Sequence, residues 1–215
     1  KNNIENYIGY TNGKKSYNDF KNIGLNVEYF EYENNNEFKW SSDEFNNFSL
    51  LRYKFIIENL KKYNKVWYMD VDTVVLHNLN NYKHINNISL ILQNDINMPC
   101  TGCLLCKDLK QMEYIYHLIS NISKQNNYEN NDQIVFNSIK HMIGNFDIFP
   151  ISEFPNGLLY FDEKFIGRKS GQLKKIKDDF IKNTMEIKFV HANYMVGNLK
   201  KKEALIDSNL WFINT

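Results

Sequence analysis

The sequence predicts an α/β fold with a mostly parallel central sheet flanked by helices. Three observations predict it. Short apolar, β-branched and aromatic runs alternate along the chain with segments of helical periodicity. The most apolar runs are near-continuous rather than alternating, as in strands covered on both faces. Several of these runs end in a carboxylate or a histidine, and open α/β sheets bind ligands beyond the C-terminal ends of their strands. With 215 residues, no internal repeat and no linker, one domain over 1–215 is expected.

The elements follow in order. NYIGYTNG (6–13) reads as a strand running into a Gly turn, and LNVEYFEY (25–32) as a second strand. NNNEFKWSSDEF is polar and loop-like. FSLLRYKFIIENLKKY (48–63) predicts one amphipathic helix, with Phe48, Leu51, Phe55 and Leu60 along its face and Ile56 beside them. VWYMDVDTVVL (66–76) predicts a strand buried on both faces until its aspartates. ISLILQND (88–95) and GCLLCK (102–107) are further apolar strands, and a helix covers 108–123. NNDQIVFNSIKHM (130–142) starts a helix that either Asn131 or Asp132 can cap. FDIFPI is a short strand. IKFVHANYMVG (187–197) is a strand that meets a loop at His191, and the chain closes with a helix and a packed LWFI.

Composition narrows the class. Apolar residues at 43% and aromatics at 15% make a globular chain, and a net charge of +1 demands neither nucleic acid nor an anionic membrane. Asparagine is about one residue in six, which reads as an AT-rich codon bias. At that content the sequons at Asn47, Asn87 and Asn121 arise by chance. No apolar run approaches the ~18 residues of a membrane span. Cys100, Cys103 and Cys106 are an odd, clustered set, which is no disulfide framework and points to a reducing compartment. Their spacing resembles an iron–sulfur motif that lacks its fourth cysteine. A soluble, cytoplasmic protein is expected (host cytoplasm if viral). A secretory location requires an anchor removed ahead of Lys1, which is not a methionine.

Asp70 and Asp72 stand out at the end of a greasy strand. A lone carboxylate there costs several kcal/mol unless it is paired or metal-bound. In a regular strand, residues two apart share a side, so both can converge on one cation. Carboxylates and water suit Mg²⁺ or Mn²⁺, and an added imidazole favours Mn²⁺. His191, at the end of another apolar strand, supplies that imidazole. An isolated His is more often an ordinary core or surface residue.

Four landmarks in order now carry a resemblance: YNKVWYMDVDTVVL, CTGCLLC, NNDQIVFN and VHANYMVGNLKK with its terminal LWFI. Over about residues 4–215 the chain resembles the nucleotide-diphospho-sugar glycosyltransferases of the GT-A fold related to glycogenin and the bacterial galactosyltransferases. The resemblance implies a metal-dependent transfer from a nucleoside-diphosphate sugar to an acceptor hydroxyl on a glycan or protein. UDP is the implied nucleotide, and no residue fixes it against GDP. Asp70 then touches ribose or metal, Asp72 binds Mn²⁺ or Mg²⁺ directly, and His191 is the third protein ligand. CTGCLLC stands where many relatives carry an Asn-Ser-Gly-type segment, which places Gly102 at the donor. In the His-x-Asn-then-Gly pattern, Asn193 and Gly197 approach the donor, and Lys200, or Lys201 or Lys202, adds positive charge at the phosphates. Tyr10 and Thr11 end the first strand, where the fold binds the base. Arg52 or Lys54 is the basic residue on the donor; two apart on a helix they cannot share a face, and LLRY favours Arg52. Asp132 and Gln133 form the implied reacting centre, with Asp95 or Asp132 as a carboxylate base if the enzyme inverts. Asp132 is equally a plain helix cap.

Two other readings compete. VWYMDVDTVVL also fits the hhhhDxDxT motif of haloacid-dehalogenase-type phosphatases, with Asp70 as nucleophile and Asp72 as general acid. That family needs a later acidic pair, and Asp178–Asp179 is the sole candidate. The other is a GT-A domain kept as a non-catalytic binding module.

Overall fold

A computed structural model describes residues 6–32, 39, 41–79, 82, 88–96, 98–166, 178 and 186–212. Asn87 and Asp179 lie outside the described residues. The chain forms two compact units, 1–40 and 41–215.

In the first unit, β1 (Gly9–Thr11) and β2 (Val27–Tyr29) pair in parallel through α1 (Lys14–Asn22). α1 is not expected from the sequence: it buries no side chain and begins without a side-chain cap. Gly24, at φ +80°, and the amide of Leu25 on the carbonyl of Phe20 end it.

The second unit holds α2 (Asp43–Ser49), α3 (Leu51–Leu60), β3 (Val66–Met69), β4 (Thr73–Val75), β5 (Leu90–Asn94) and β6 (Pro99–Cys106). Then come α4 (Leu109–Gln125), α5 (Asp132–Ile139), β7 (Asp147–Ile148), α6 (Gly157–Tyr160), α7 (Glu163–Ile166), β8 (Phe189–His191) and α8 (Asn198–Asp207). The central sheet runs β3-β6-β5-β7, and β4 pairs with β8. The α/β class holds, but the sheet is mixed rather than mostly parallel. The β3–β6, β5–β6 and β4–β8 pairs are antiparallel, and β5–β7 is parallel.

Both sheet faces are covered, which explains the unbroken apolar runs. Leu90, Leu92, Leu104 and Cys106 pack with Tyr53, Ile56, Met112, Ile115 and Phe136 of α3, α4 and α5. The intervening Ile91, Cys103 and Leu105 pack with Phe149, Phe154 and Phe189.

Two expected elements break. The helix at 48–63 is interrupted at Leu50, because α2 starts earlier, at a Ser42 cap that accepts from the amide of Phe45 at 3.2 Å. Asp43–Ser49 therefore takes part of the expected loop. The buried face is Tyr53, Ile56, Ile57 and Leu60, not the one through Phe48, Leu51 and Phe55. The strand at 66–76 is half-buried and splits into β3 and β4 at Asp70–Val71–Asp72. The amide of Thr73 closes this turn on the carbonyl of Asp70 at 3.0 Å, and Val71 projects from it fully exposed. No helix among the described residues is long and apolar enough to cross a membrane.

Candidate active site

The D-V-D turn does what strand alternation was expected to do. It brings Asp70 and Asp72 together with His191, one ligand atom of each lying within 4.8 Å of the others. Two backbone hydrogen bonds and one strand pairing set this geometry. The amide of Asp70 donates to Gly102 at 2.7 Å, that of Ala192 to Asp72 at 2.9 Å, and β4 pairs Thr73 with His191.

Opposite the turn, β6 carries a bulge. Leu92 pairs with Leu104 and Gln93 with Cys100, so Thr101, Gly102 and Cys103 are extra on β6. Bulges of this kind re-aim side chains beside active sites. A Cβ on Gly102 would stand 2.5 Å from Asp70 Oδ2 and 2.8 Å from His191 Cε1. Glycine is thus what leaves room between the two ligands.

Charge is concentrated around this point. Lys201 Nζ lies 2.6 Å from Asp72 Oδ2, and His191 Nε2 lies 3.3 Å from Asp72 Oδ1. Burial alone would raise the Asp72 carboxyl. The hydrogen bond from His191 and the charges of His191 and Lys201 outweigh it and hold Asp72 well below the usual carboxylate range. Burial opposes a charged imidazole, yet contacts with Cys103 and Asp72 raise His191 well above its ordinary value. Asp70 accepts from the hydroxyl of Tyr68 at 2.9 Å and faces Arg52 Nη2 at 3.8 Å.

Arg52 has been drawn inside. Its Nε donates to the carbonyl of Ser49 at 3.1 Å and faces Asp132 at 3.5 Å; its Nη1 donates to Thr101 Oγ1 at 3.3 Å. Its guanidinium also sits over the Tyr68 ring. Burial would lower its pKa, but Asp132 and Asp70 raise it, so it stays charged. Asn131 caps α5, accepting from Ile134 at 3.0 Å. That leaves Asp132, only 4% exposed, to pair with Arg52 and to accept from the Tyr53 hydroxyl at 3.0 Å.

A second cluster, one carboxylate among amides, adjoins. Asp95 accepts from Gln133 Nε2 at 2.8 Å, Asn156 Nδ2 at 3.4 Å and Asn193 Nδ2 at 3.5 Å. Asn193 Oδ1 accepts from the amide of Gly157 at 2.7 Å. Nothing in the sequence singled out Asn156, which is fully buried and also caps α6.

The other expected residues take these places. Lys54 is exposed on α3, on a different face from Arg52. Of the lysines, Lys201 rather than Lys200 reaches Asp72, while Lys202 lies over the Trp211 ring. One helical turn separates Gly197 from Lys201, whose amide donates to the Gly197 carbonyl. Gly197 has φ +95°, which suits glycine alone. Tyr10 and Thr11 belong to the first unit, half-buried on β1. Sequence reasoning missed Gln93, Thr101 and Asn156. Gln93 and Thr101 were hidden inside apolar runs.

The model of the nucleotide-diphospho-sugar transferase family matches residues 2–205. The chain belongs to that family. This transferase shares its fold with solved GT-A glycosyltransferases. One is involved in glycosylation of the major capsid of PBCV-1, with TM-score 0.55, 13% identity, and 93% of this chain and 97% of that one covered. Another is GlyE of Streptococcus pneumoniae, with TM-score 0.56, 13% identity, and 96% of this chain but 52% of that one covered. A third is the galactosyltransferase LgtC with donor and acceptor sugar analogs, with TM-score 0.52, 15% identity, and 89% and 78% covered. No curated protein matches the chain. The phosphatase reading gives way to the family match.

Proposed function

We propose that this glycosyltransferase binds a UDP-sugar with Mn²⁺ or Mg²⁺ and transfers the sugar to an acceptor hydroxyl on a glycan or protein. The observation that carries the reading is the convergence of Asp70, Asp72 and His191 around the gap at Gly102. Two carboxylates and an imidazole suit Mn²⁺, with Mg²⁺ as the alternative. When bound, the cation offsets charge on the diphosphate leaving group.

The charge balance supports this. Asp70, Asp72 and Asp132 face Arg52, Lys201 and His191. A protonated His191 balances three carboxylates with three cations. A neutral His191 acting as a ligand leaves one negative charge in excess, which a divalent cation reverses to one positive. That excess then faces the anionic diphosphate. Lys201, which reaches Asp72, and Gly197, one turn before it, serve the phosphates in this reading.

At the reacting centre, the anomeric bond to the diphosphate oxygen breaks, a bond to the acceptor oxygen forms, and the acceptor's hydroxyl proton passes to the released diphosphate. Asp95 takes the Gln133 NH₂, so the Gln133 carbonyl oxygen is the end left for the donor sugar. Asp95 is held by three amides and acts as the group that orients Gln133. Tyr10 and Thr11 remain the residues proposed for the base. The acceptor class finds support in the PBCV-1 and LgtC relatives, one acting in capsid glycosylation and the other solved with acceptor and donor sugar analogs.

The test is calorimetric titration of UDP and GDP, each with and without Mn²⁺. Binding of UDP that requires Mn²⁺ is expected. Binding of neither nucleotide would overturn the reading. Donor hydrolysis in the presence of Mn²⁺ then separates an active transferase from a non-catalytic module.

A further inference from the structure

Gln93 is 0% exposed and sits on β5 in an otherwise apolar run. A buried primary amide must place two donors and an acceptor. Gln93 Nε2 faces two backbone carbonyls, Pro155 at 3.0 Å and Phe154 at 3.4 Å. Carbonyls only accept, so the NH₂ end is fixed there and the amide cannot be flipped. The other end, Oε1, therefore meets His191 Nδ1, at 2.8 Å. An amide oxygen also only accepts, so Nδ1 must carry a hydrogen. In the neutral ring of the metal-bound protein the bare nitrogen is then Nε2, the one 3.3 Å from Asp72.

We infer that Gln93 is a positioning residue that fixes the ring orientation and tautomer of His191, so that the Nε2 lone pair faces Asp70 and Asp72. The inference rests on the metal-site reading above. Its physical content is a relay with no titrating member at its base: two main-chain carbonyls orient an amide, and the amide orients the imidazole. The competing state is plain from the geometry. A neutral ring with its hydrogen on Nε2 would donate to Asp72 and offer no lone pair to a cation. Gln93 disfavours that state because it would set Nδ1 and Oε1, two acceptors, against each other in a buried place. Partners of this kind behind a ligating histidine are worth about 10–100-fold in metal affinity.

The experiment measures Mn²⁺ affinity by electron paramagnetic resonance for the wild type, Gln93→Met, His191→Ala and the double variant, with melting curves as the fold control. Gln93→Met is expected to weaken Mn²⁺ binding about 10–100-fold, and to add nothing in the His191→Ala background. Equal binding by wild type and Gln93→Met would overturn the role, as would an undiminished effect without His191. A wild type that binds no Mn²⁺ would overturn the metal reading itself. A second measurement needs no variant. The ¹⁵N resonances of the His191 ring, recorded with saturating diamagnetic Mg²⁺, are expected to show hydrogen on Nδ1 and a bare Nε2. The opposite tautomer would overturn the inference even if Gln93→Met failed to fold.

Discussion

The Asp70–Asp72–His191 cluster and the Asp95–Gln133–Asn156–Asn193 cluster are built from opposite materials. In the first, formal charges crowd together and Lys201 and His191 both engage Asp72. In the second, one carboxylate is held by three neutral amides. Charge at close range is strong but tolerant of geometry, whereas amide hydrogen bonds are weaker and directional. The first cluster is suited to gathering a cation and an anionic diphosphate. The second is suited to holding one oxygen in one place. In the proposed function, binding and chemistry are divided between these neighbouring groups, which makes separable predictions.

The largest effect is expected from Asp72→Ala. Metal-dependent nucleotide binding should fall beyond detection in calorimetry while circular dichroism stays that of the wild type. Retained binding would break the assignment of the charged cluster. Gln133→Ala should leave nucleotide affinity near wild type and lower kcat about 100-fold. A loss confined to donor affinity would erase the distinction between the clusters.

Gly102→Ala is expected to weaken Mn²⁺ binding about tenfold or more, because its Cβ would meet both Asp70 and His191. Its stability cost should stay within about 1–3 kcal/mol, since a carboxylate end can give way. Unfolding curves and Mn²⁺ titration together check this.

The pH dependence of the metal-free protein is a smaller effect with a definite sign. The His191 pKa is raised in the fold, so its stabilisation is complete below about 6.5 and is lost as pH rises through the folded value. Asp72 is depressed, so its contribution is present above about pH 4 and is lost as pH falls below that. Melting in chelator should therefore weaken on the alkaline side, and His191→Gln should flatten that limb. The smallest effect is expected from Lys54→Ala, whose exposed side chain lies outside the site. Activity within about twofold of wild type checks it, as ordinary for a surface substitution.

The sequence by itself determined much here, because some signals are local. Apolar runs of strand length between amphipathic segments required an α/β fold, and both faces of β5 and β6 are indeed buried. The N-N-D-Q run determined a helix start, since Asn131 needs only the amide three residues on to cap it. Two aspartates and a histidine ending apolar runs named a cation site before any geometry.

What tertiary structure decided depends on partners far along the chain. The aspartates converge through a turn, because β4 leaves the central sheet to pair with β8, a partner over a hundred residues away that periodicity cannot reveal. Arg52 and Lys54 are equally basic, and packing alone sent Arg52 to Asp132 and left Lys54 in solvent. Lys201 rather than Lys200 reaches Asp72, because consecutive residues on a helix point about 100° apart. Gln93, Thr101 and Asn156 looked like ordinary strand and loop residues. They matter because a buried polar group must find its hydrogen-bond partners, and those partners exist only once the chain has folded.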